Sequence, residues 1–208
     1  MARISYISPG DAAPEVARLF QAHAELGGRV TNFHRLLGHI PWFYKWYIPL
    51  QNSVKGDFGR LPKRIVQLIH IRASVVNACA YCTSHTSALG QTLGMSNDEL
   101  DALRADPVPS PAFTEEEAAV LRWTQAVADN SARRDQAAFA ELQRWFDEGQ
   151  IVEITVIAAV RTMVNRIQEA LWTDLEEPGE VEPAKRGTDS TSLESYAREV
   201  LGGSQSST

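Results

Sequence analysis

The amino-acid sequence predicts an all-α protein. Apolar residues recur with a period of about 3.6 in several long segments, which is typical of helices that bury one face. Prolines and capping boxes mark the positions where such segments begin. The alternation of apolar and polar residues that indicates half-buried strands is scarce along the 208 residues.

The composition is that of a globular protein without a strongly charged partner. Hydrophobic residues make up 44% of the chain and charged residues 22%, and the net charge is −6. An acidic chain without a Lys/Arg block is not expected to bind nucleic acid or an anionic membrane. Neither a membrane span of about 18 residues nor a secretory signal is visible, so we expect a cytoplasmic protein.

Short helices are predicted for the first sixty residues. Pro14 is placed to lie in the first turn of one helix, and Thr31 or Asn32 can cap the next. Pro41 opens a third helix that carries the aromatic run at residues 42–47. We expect this run to lie in the core or in an oligomer contact, because it is too aromatic for a free surface.

Two helices are predicted around the middle of the chain. Pro62 precedes a helix over residues 63–77, whose apolar positions follow a helical period. A second helix is predicted over residues 79–93, before Gly94. The capping boxes Ser96–Glu99 and Thr114–Glu117 begin two further helices.

The remaining segments alternate between breakers and helices. A proline-rich linker is predicted at residues 106–111 and a helix at residues 136–146. Gly149 is expected to break the chain before a long apolar helix over residues 151–172. The β-branched residues at its start would suit a strand, but some 20 residues at helical spacing favour a helix.

A change in composition divides the chain near residue 175. Residues 1–175 are predicted to form the helical domain. Residues 176–208 are rich in Glu, Pro, Gly, Ser and Thr, and we expect a mostly disordered tail. Four apolar residues there have helical spacing and could dock on a neighbour: Leu193, Tyr196, Val200 and Leu201.

Cys79 and Cys82 are the only cysteines, and they lie three residues apart at the predicted start of a helix. Such a pair can close a disulfide, and the helix N-terminus lowers a thiol pKa because it favours the thiolate. Two small buried residues without redox chemistry are the alternative. With His85 the pair supplies only three zinc ligands, one fewer than a structural site needs, so we predict no metal.

Several neighbouring residues are candidates for proton transfer. His85 lies three residues after Cys82, on the same face of a helix, where it can bond the thiol or carry its proton. Gln67 and His70 lie on the preceding helix, and His70 is either a second proton carrier or structural. Tyr81, between the cysteines, either lines a pocket or packs.

Three stretches together carry a family resemblance. They are residues 61–64 (Leu-Pro-Lys-Arg), residues 72–74 (Arg-Ala-Ser) and residues 77–86 around the cysteines. With the opening at residues 4–20 and the segment at residues 151–166, they resemble the carboxymuconolactone decarboxylase/AhpD-like alkylhydroperoxidase family over about residues 1–175. The resemblance implies an AhpD-like all-α fold with the Cys-x-x-Cys motif at the N-terminus of a buried helix. It also implies a trimeric or hexameric homo-oligomer without a cofactor.

The resemblance also implies roles for the site residues. Cys82 corresponds to the cysteine that attacks peroxide, and Cys79 to the one that resolves the product. The family's relay glutamate corresponds to Gln67 and its relay histidine to Thr86. His85 precedes that position by one residue, which rotates a side chain by about 100° around a helix.

We therefore predict an enzyme, a thiol-dependent peroxidase or disulfide oxidoreductase that acts on a hydroperoxide and is restored by a dithiol. Tyr81 and Thr86 are predicted to contact the substrate. An alternative is a cofactor-free decarboxylase or lyase on a small carboxylic or lactone substrate. In that case His85 would be the acid/base and Arg72 or Arg166 would hold the carboxylate. A non-catalytic oligomeric redox sensor is the third possibility.

Overall fold

The computed structural model describes residues 1–26, 28–54, 58–105, 112–177 and 190–202, except the side chains of 190–192. No β-strand and no helix long and apolar enough to cross a membrane occurs within these ranges, and the all-α class is confirmed. The helices are α1 Pro14–Glu25, α2 Asn32–Leu37, α3 Pro41–Ser53, α4 Lys63–Val76, α5 Ala80–Thr92, α6 Asn97–Arg104, α7 Glu115–Ala128, α8 Gln136–Leu142, α9 Glu148–Leu171 and α10 Ser190–Tyr196. A 3₁₀ turn covers Pro9–Asp11, and a π-helical turn covers Ala197–Leu201.

The chain forms two compact units. We call Met1–Gly59 with Leu171–Thr208 the N-terminal unit, and Arg60–Ala170 the dithiol unit. Within the tail, the Tyr196 side chain is buried and its hydroxyl donates to the Lys45 carbonyl at 2.6 Å. Residues 178–189 and 203–208 lie outside the described residues, and the division of the chain at residue 175 stays a prediction.

Aromatic side chains build the core of the N-terminal unit, where α3 packs against α1 and α2. Tyr44 and Tyr47 of the predicted aromatic run are buried. Trp42 and Trp46 lie on the outer face of α3, with 67% and 55% of their surface exposed. The core assignment therefore holds for the two tyrosines, and an oligomer contact at the two tryptophans stays a prediction.

The two buried tyrosines differ in their hydrogen bonds. The Tyr47 hydroxyl donates to Gln51 Oε1 at 2.8 Å. The Tyr44 hydroxyl is fully buried and has no partner among the residues that the structure describes. Burial, followed by the neighbouring Tyr47, raises the pKa of Tyr44 far above its ordinary value, so the phenol stays protonated.

Helix α4 is the centre of the dithiol unit and packs against α5, α6 and α7. Every residue from 65 to 74 is buried, so the helix is enclosed on all sides rather than on the one face that its apolar period predicts. At its N-terminal end, Arg64 donates to Glu99 and Glu117, each at 2.5 Å. These glutamates also close the capping boxes of α6 and α7, which confirms both predicted helix starts.

The predicted break at Gly149 is wrong, because α9 begins one residue earlier and contains the glycine. Asp147 and Gln150 cap the helix reciprocally: the Gln150 N–H donates to Asp147 Oδ1 at 2.9 Å, and the Asp147 N–H donates to Gln150 Oε1 at 3.2 Å. Arg60, which is paired with Asp147, occupies the space that a Cβ at residue 149 would need. That guanidinium is the exposed end of a flexible side chain, so the glycine is tolerated inside the helix and makes no turn there.

Other boundaries differ less. Helix α8 ends at Leu142, four residues before the predicted end. The long apolar segment is helical to Leu171, as its length indicated. The predicted linker at residues 106–111 lies outside the described residues.

Candidate active site

A tight corner between α4 and α5 places the cysteines. Helix α4 ends just before Asn77, its C-cap residue, and Ala78 then adopts a left-handed conformation with φ of 53°. The Ala78 N–H donates to the Val75 carbonyl at 2.9 Å, and the Cys79 N–H donates to the Ser74 carbonyl at 3.0 Å. This is the bonding pattern of a Schellman cap, in which the left-handed residue is usually glycine. The corner therefore holds the backbone of Cys79 against the end of α4.

The two cysteines form a disulfide across the first turn of α5, with Cα atoms 5.3 Å apart. Cys79 is the N-cap residue, and its Sγ accepts the backbone N–H of Cys82 at 3.2 Å. Their exposed fractions are 0% and 1%. The motif thus lies at the N-terminus of a helix whose inner face is buried, in line with the resemblance, and substrate must reach sulfurs that are almost fully enclosed.

His85 lies on α5, one turn beyond Cys82, and is partly exposed. Its Nδ1 lies 2.9 Å from the Tyr81 carbonyl oxygen, and its ring stacks on the Tyr81 ring with centroids 4.3 Å apart. A carbonyl oxygen only accepts, so Nδ1 carries the hydrogen in this bond. The lone pair of the neutral imidazole is then on Nε2, which is the atom that can take up a proton.

Gln67 and Thr86, to which the resemblance assigns the positions of a relay pair, meet in the structure. The Gln67 side-chain amide donates to the Thr86 carbonyl at 2.5 Å, and Thr86 Oγ1 donates to the Cys82 carbonyl at 2.8 Å. Both side chains are buried. An amide and a hydroxyl do not exchange protons near neutral pH as a carboxylate and an imidazole do. Their contacts therefore fix α5 against α4, and substrate contact by Thr86 stays a prediction.

His70 is buried beside Arg161 of α9, whose Nε donates to His70 Nδ1 at 3.0 Å. Nδ1 is therefore the acceptor, and the hydrogen of the neutral ring is on Nε2. These contacts support a structural imidazole, and a role for His70 as proton carrier stays a prediction that they do not favour.

The two candidate arginines have different surroundings. Arg72 is 1% exposed and donates to the carbonyls of Leu103 and Ala105, at 3.0 and 2.8 Å, and to Gln125 Oε1 at 2.6 Å. It thereby caps the C-terminal end of α6. Arg166 is exposed on α9. Carboxylate binding by either arginine stays a prediction, and the contacts of Arg72 argue against it.

Polar residues of α9 support the corner, and sequence reasoning missed them. Asn165 is fully buried; its amide donates to the Ala73 carbonyl at 3.0 Å, and its Oδ1 accepts from Ser74 at 3.4 Å. Thr162 Oγ1 accepts from the side chain of Asn77 at 3.3 Å. Helical periodicity could have identified Asn165 as a buried polar residue, because it shares the buried face of α9 with Ile154.

Within the described part of the chain, no group of three or more His, Cys, Asp or Glu side chains is placed to hold a metal ion. The chemistry that the arrangement can supply is that of two thiols, one imidazole and the dipoles at the start of α5.

Comparison with known proteins agrees with this geometry. Residues 41–126 match the carboxymuconolactone decarboxylase family model. A protein from Agrobacterium tumefaciens, named as a candidate antioxidant defence protein AhpD, is 28% identical, with a TM-score of 0.63 over 68% of this chain and 96% of that one.

Two further solved structures share the fold at lower identity. The AhpD core of a peroxidase-related protein from Ralstonia eutropha JMP134 is 16% identical, with a TM-score of 0.72 over 89% of this chain and 97% of that one. The debrominase Bmp8 is 23% identical, with a TM-score of 0.70 over 84% of this chain and 92% of that one. Residues 41–126 of this chain thus match the carboxymuconolactone decarboxylase family, and the chain shares the AhpD-like fold, with a Cys79–Cys82 disulfide motif.

Proposed function

We propose that the protein is a thiol-dependent peroxidase that cycles Cys79 and Cys82 between dithiol and disulfide. The observation that carries the proposal is the Cys79–Cys82 disulfide at the N-terminus of buried α5. The match of residues 41–126 to the family supports a peroxidase-related or decarboxylase-like role in general. The disulfide favours the redox branch of that choice.

In the oxidative half of the cycle, Cys82 attacks a hydroperoxide. His85 Nε2 takes the thiol proton, directly or through water, and the thiolate forms a bond to the terminal peroxide oxygen. The O–O bond breaks, and the alkoxide leaves with the proton from His85. The products are an alcohol and a sulfenic acid on Cys82.

The second cysteine completes the oxidation. The Cys79 thiolate attacks the sulfur of the sulfenic acid, and hydroxide leaves and is protonated to water. An external dithiol then reduces the disulfide and is itself oxidised. No resident cofactor takes part in the proposed cycle.

The structure gives less support to the carboxylate-binding alternative. A lyase would need a cation for the substrate carboxylate, and Arg72 is bonded to backbone carbonyls of its own chain. Bmp8 has been solved with 2,3,4-tribromopyrrole, but its 22% identity in that complex extends only to the fold. We therefore do not extend a halogenated substrate to this chain.

The test is peroxide consumption by the reduced protein. We expect an alkyl hydroperoxide to remove two free thiols per chain, and repeated turnover when dithiothreitol is added. Cys82→Ser should abolish consumption, whereas Ser84→Ala, a change on the exposed side of α5, should leave it unchanged. Full activity of Cys82→Ser would refute the proposal, and a disulfide that forms without turnover would indicate a redox sensor.

We also propose a homo-oligomer, in line with the family. Large apolar side chains that are exposed on the single chain, namely Trp42, Trp46 and Val152, support it. Light scattering should give three or six times the mass of the chain. A monomer at micromolar concentration would exclude this assembly.

A further inference from the structure

The two sulfurs of the disulfide have different hydrogen bonds. Cys79 Sγ accepts the N–H of Cys82 at 3.2 Å, as the side chain of an N-cap residue does. Cys82 Sγ has no such donor among the residues that the structure describes. A donor aimed at a sulfur favours its thiolate, and the positive end of the α5 dipole adds to this effect.

The backbone of Cys79 keeps its sulfur in this position. The Cys79 N–H is bonded to the Ser74 carbonyl at 3.0 Å, and the Cys79 carbonyl accepts the Thr83 N–H at 2.8 Å. Both peptide groups of the residue are therefore fixed by helix caps. A thiolate released at Cys79 meets the Cys82 N–H without any backbone rearrangement.

We propose that Cys79 is the leaving thiolate in the reduction of the disulfide, so that the incoming dithiol attacks Cys82 Sγ. In thiol–disulfide exchange, the sulfur that is more stable as a thiolate leaves faster. The inference rests on the redox function proposed above, but it concerns only the reductive half of the cycle and predicts which mixed disulfide forms.

Reduction of the disulfide takes place in two exchange steps. One thiolate of the external dithiol forms a bond to Cys82 Sγ, and the Cys79–Cys82 bond breaks with both of its electrons going to Cys79. The second thiol of the reductant then attacks the first sulfur of the reductant, which is bonded to Cys82 in the mixed disulfide. The reductant leaves as a cyclic disulfide, and Cys82 takes up a proton.

The same asymmetry assigns protons in the reduced protein. Cys79 holds the negative charge, and Cys82 keeps its proton until a base removes it. The oxidative half of the cycle then depends on His85, whereas the reductive half does not. His85→Ala should slow peroxide attack and leave reduction of the disulfide unchanged.

Mapping of the mixed disulfide tests the proposal. The oxidised full chain is treated briefly with excess glutathione, quenched with acid, alkylated with N-ethylmaleimide and analysed by peptide mass spectrometry. We expect glutathione on Cys82 and the alkyl group on Cys79. Glutathione mainly on Cys79, or equally on both residues, would overturn the proposal.

Single-cysteine variants provide a second measurement. Cys82→Ser keeps the backbone N–H of residue 82, so the Cys79 thiolate should keep its donor. We expect the pH midpoint of Cys79 alkylation in this variant to be about one unit below that of Cys82 in Cys79→Ser, a tenfold difference in thiolate fraction near neutral pH. The opposite order would also overturn the proposal.

The outcomes separate this inference from the proposed function. A protein that consumes no peroxide can still form the mixed disulfide on Cys82, in which case only the peroxidase function fails. Active peroxide turnover with glutathione on Cys79 would overturn only the direction of reduction.

Discussion

The dithiol unit and the N-terminal unit bury polar groups in different ways. In the dithiol unit, the side chains of Arg72 and Asn165 donate to backbone carbonyls at the ends of α4 and α6. In the N-terminal unit, the buried Tyr44 hydroxyl has no partner among the described residues, and aromatic rings fill the surrounding core. Directional bonds fix atoms to within a few tenths of an ångström, whereas aromatic packing tolerates shifts. The sulfurs are carried by the unit in which these buried side chains hold the ends of helices.

Among the variants that test this comparison, Arg72→Met should have the largest effect on the free energy of unfolding. It leaves the Leu103 and Ala105 carbonyls without their buried donor, and we expect a loss of about 3 kcal/mol in the free energy of unfolding. Urea titration followed by circular dichroism measures it. Arg166→Met, at an exposed position, is the matched control. A loss below about 1 kcal/mol for Arg72→Met would show that these bonds do not stabilise the unit.

Substitutions of the two buried tyrosines test the hydrogen bonds of the N-terminal unit. Tyr44→Phe removes a buried hydroxyl that has no described partner, and we expect it to raise the free energy of unfolding by about 1 kcal/mol. Tyr47→Phe removes the bond to Gln51 and should lower it by about 1 kcal/mol. Thermal melting of both variants gives the two signs. Equal effects would contradict the hydrogen-bond assignment.

Ala78→Gly addresses strain in the corner that carries Cys79. Alanine at a φ of 53° is strained, and glycine is not, so we expect a gain of up to about 1 kcal/mol in the free energy of unfolding. Ala88→Gly, inside α5, should instead cost about 1 kcal/mol. If Ala78→Gly destabilised the protein as much as Ala88→Gly, the corner would not be strained.

Acid should weaken the dithiol unit through Glu117 and Glu99, with the smallest expected effect because their shared partner Arg64 is partly exposed to solvent. Burial opposes ionisation of Glu117, but the hydrogen bond from Arg64 and the Thr114 N–H lower its pKa overall. The Ser96 N–H, followed by Arg64, lowers the pKa of Glu99. This stability is present above the ordinary carboxyl pKa and is lost as pH falls through the lowered values.

Melting temperatures between pH 7 and pH 3 measure the acid effect. Arg64→Met should flatten the profile, because it removes a cause of both lowered pKa values. An unchanged profile would show that these carboxylates do not govern the acid response.

Local patterns predicted the helices well, because their causes are local. The capping box at Ser96–Glu99 and the N-terminal proline of α3 each involve residues within one turn. The break at Gly149 was wrong, because the reciprocal bonds between Asp147 and Gln150 begin the helix before the glycine. A rule that treats glycine as a helix breaker contains no information about these bonds.

In the candidate site, too, the sequence predicted the features that depend on neighbouring residues and missed those that depend on distant ones. The disulfide between Cys79 and Cys82 follows from spacing at a helix start. The role of Arg72 does not, because its partners Leu103 and Ala105 lie more than 30 residues away. The orientation of His85 depends on a carbonyl one turn back, which spacing alone cannot distinguish from a bond to the thiol.

Cys79 belongs to two helices at once, since its N–H closes α4 and its carbonyl opens α5. No loop separates the two helices, so we expect them to move together, with the Cys79 sulfur at their junction. Any motion that frays the last turn of α4 must also move the disulfide. Amide hydrogen exchange at the corner is therefore expected to report the redox state of the sulfurs, even where no atom of a substrate is present.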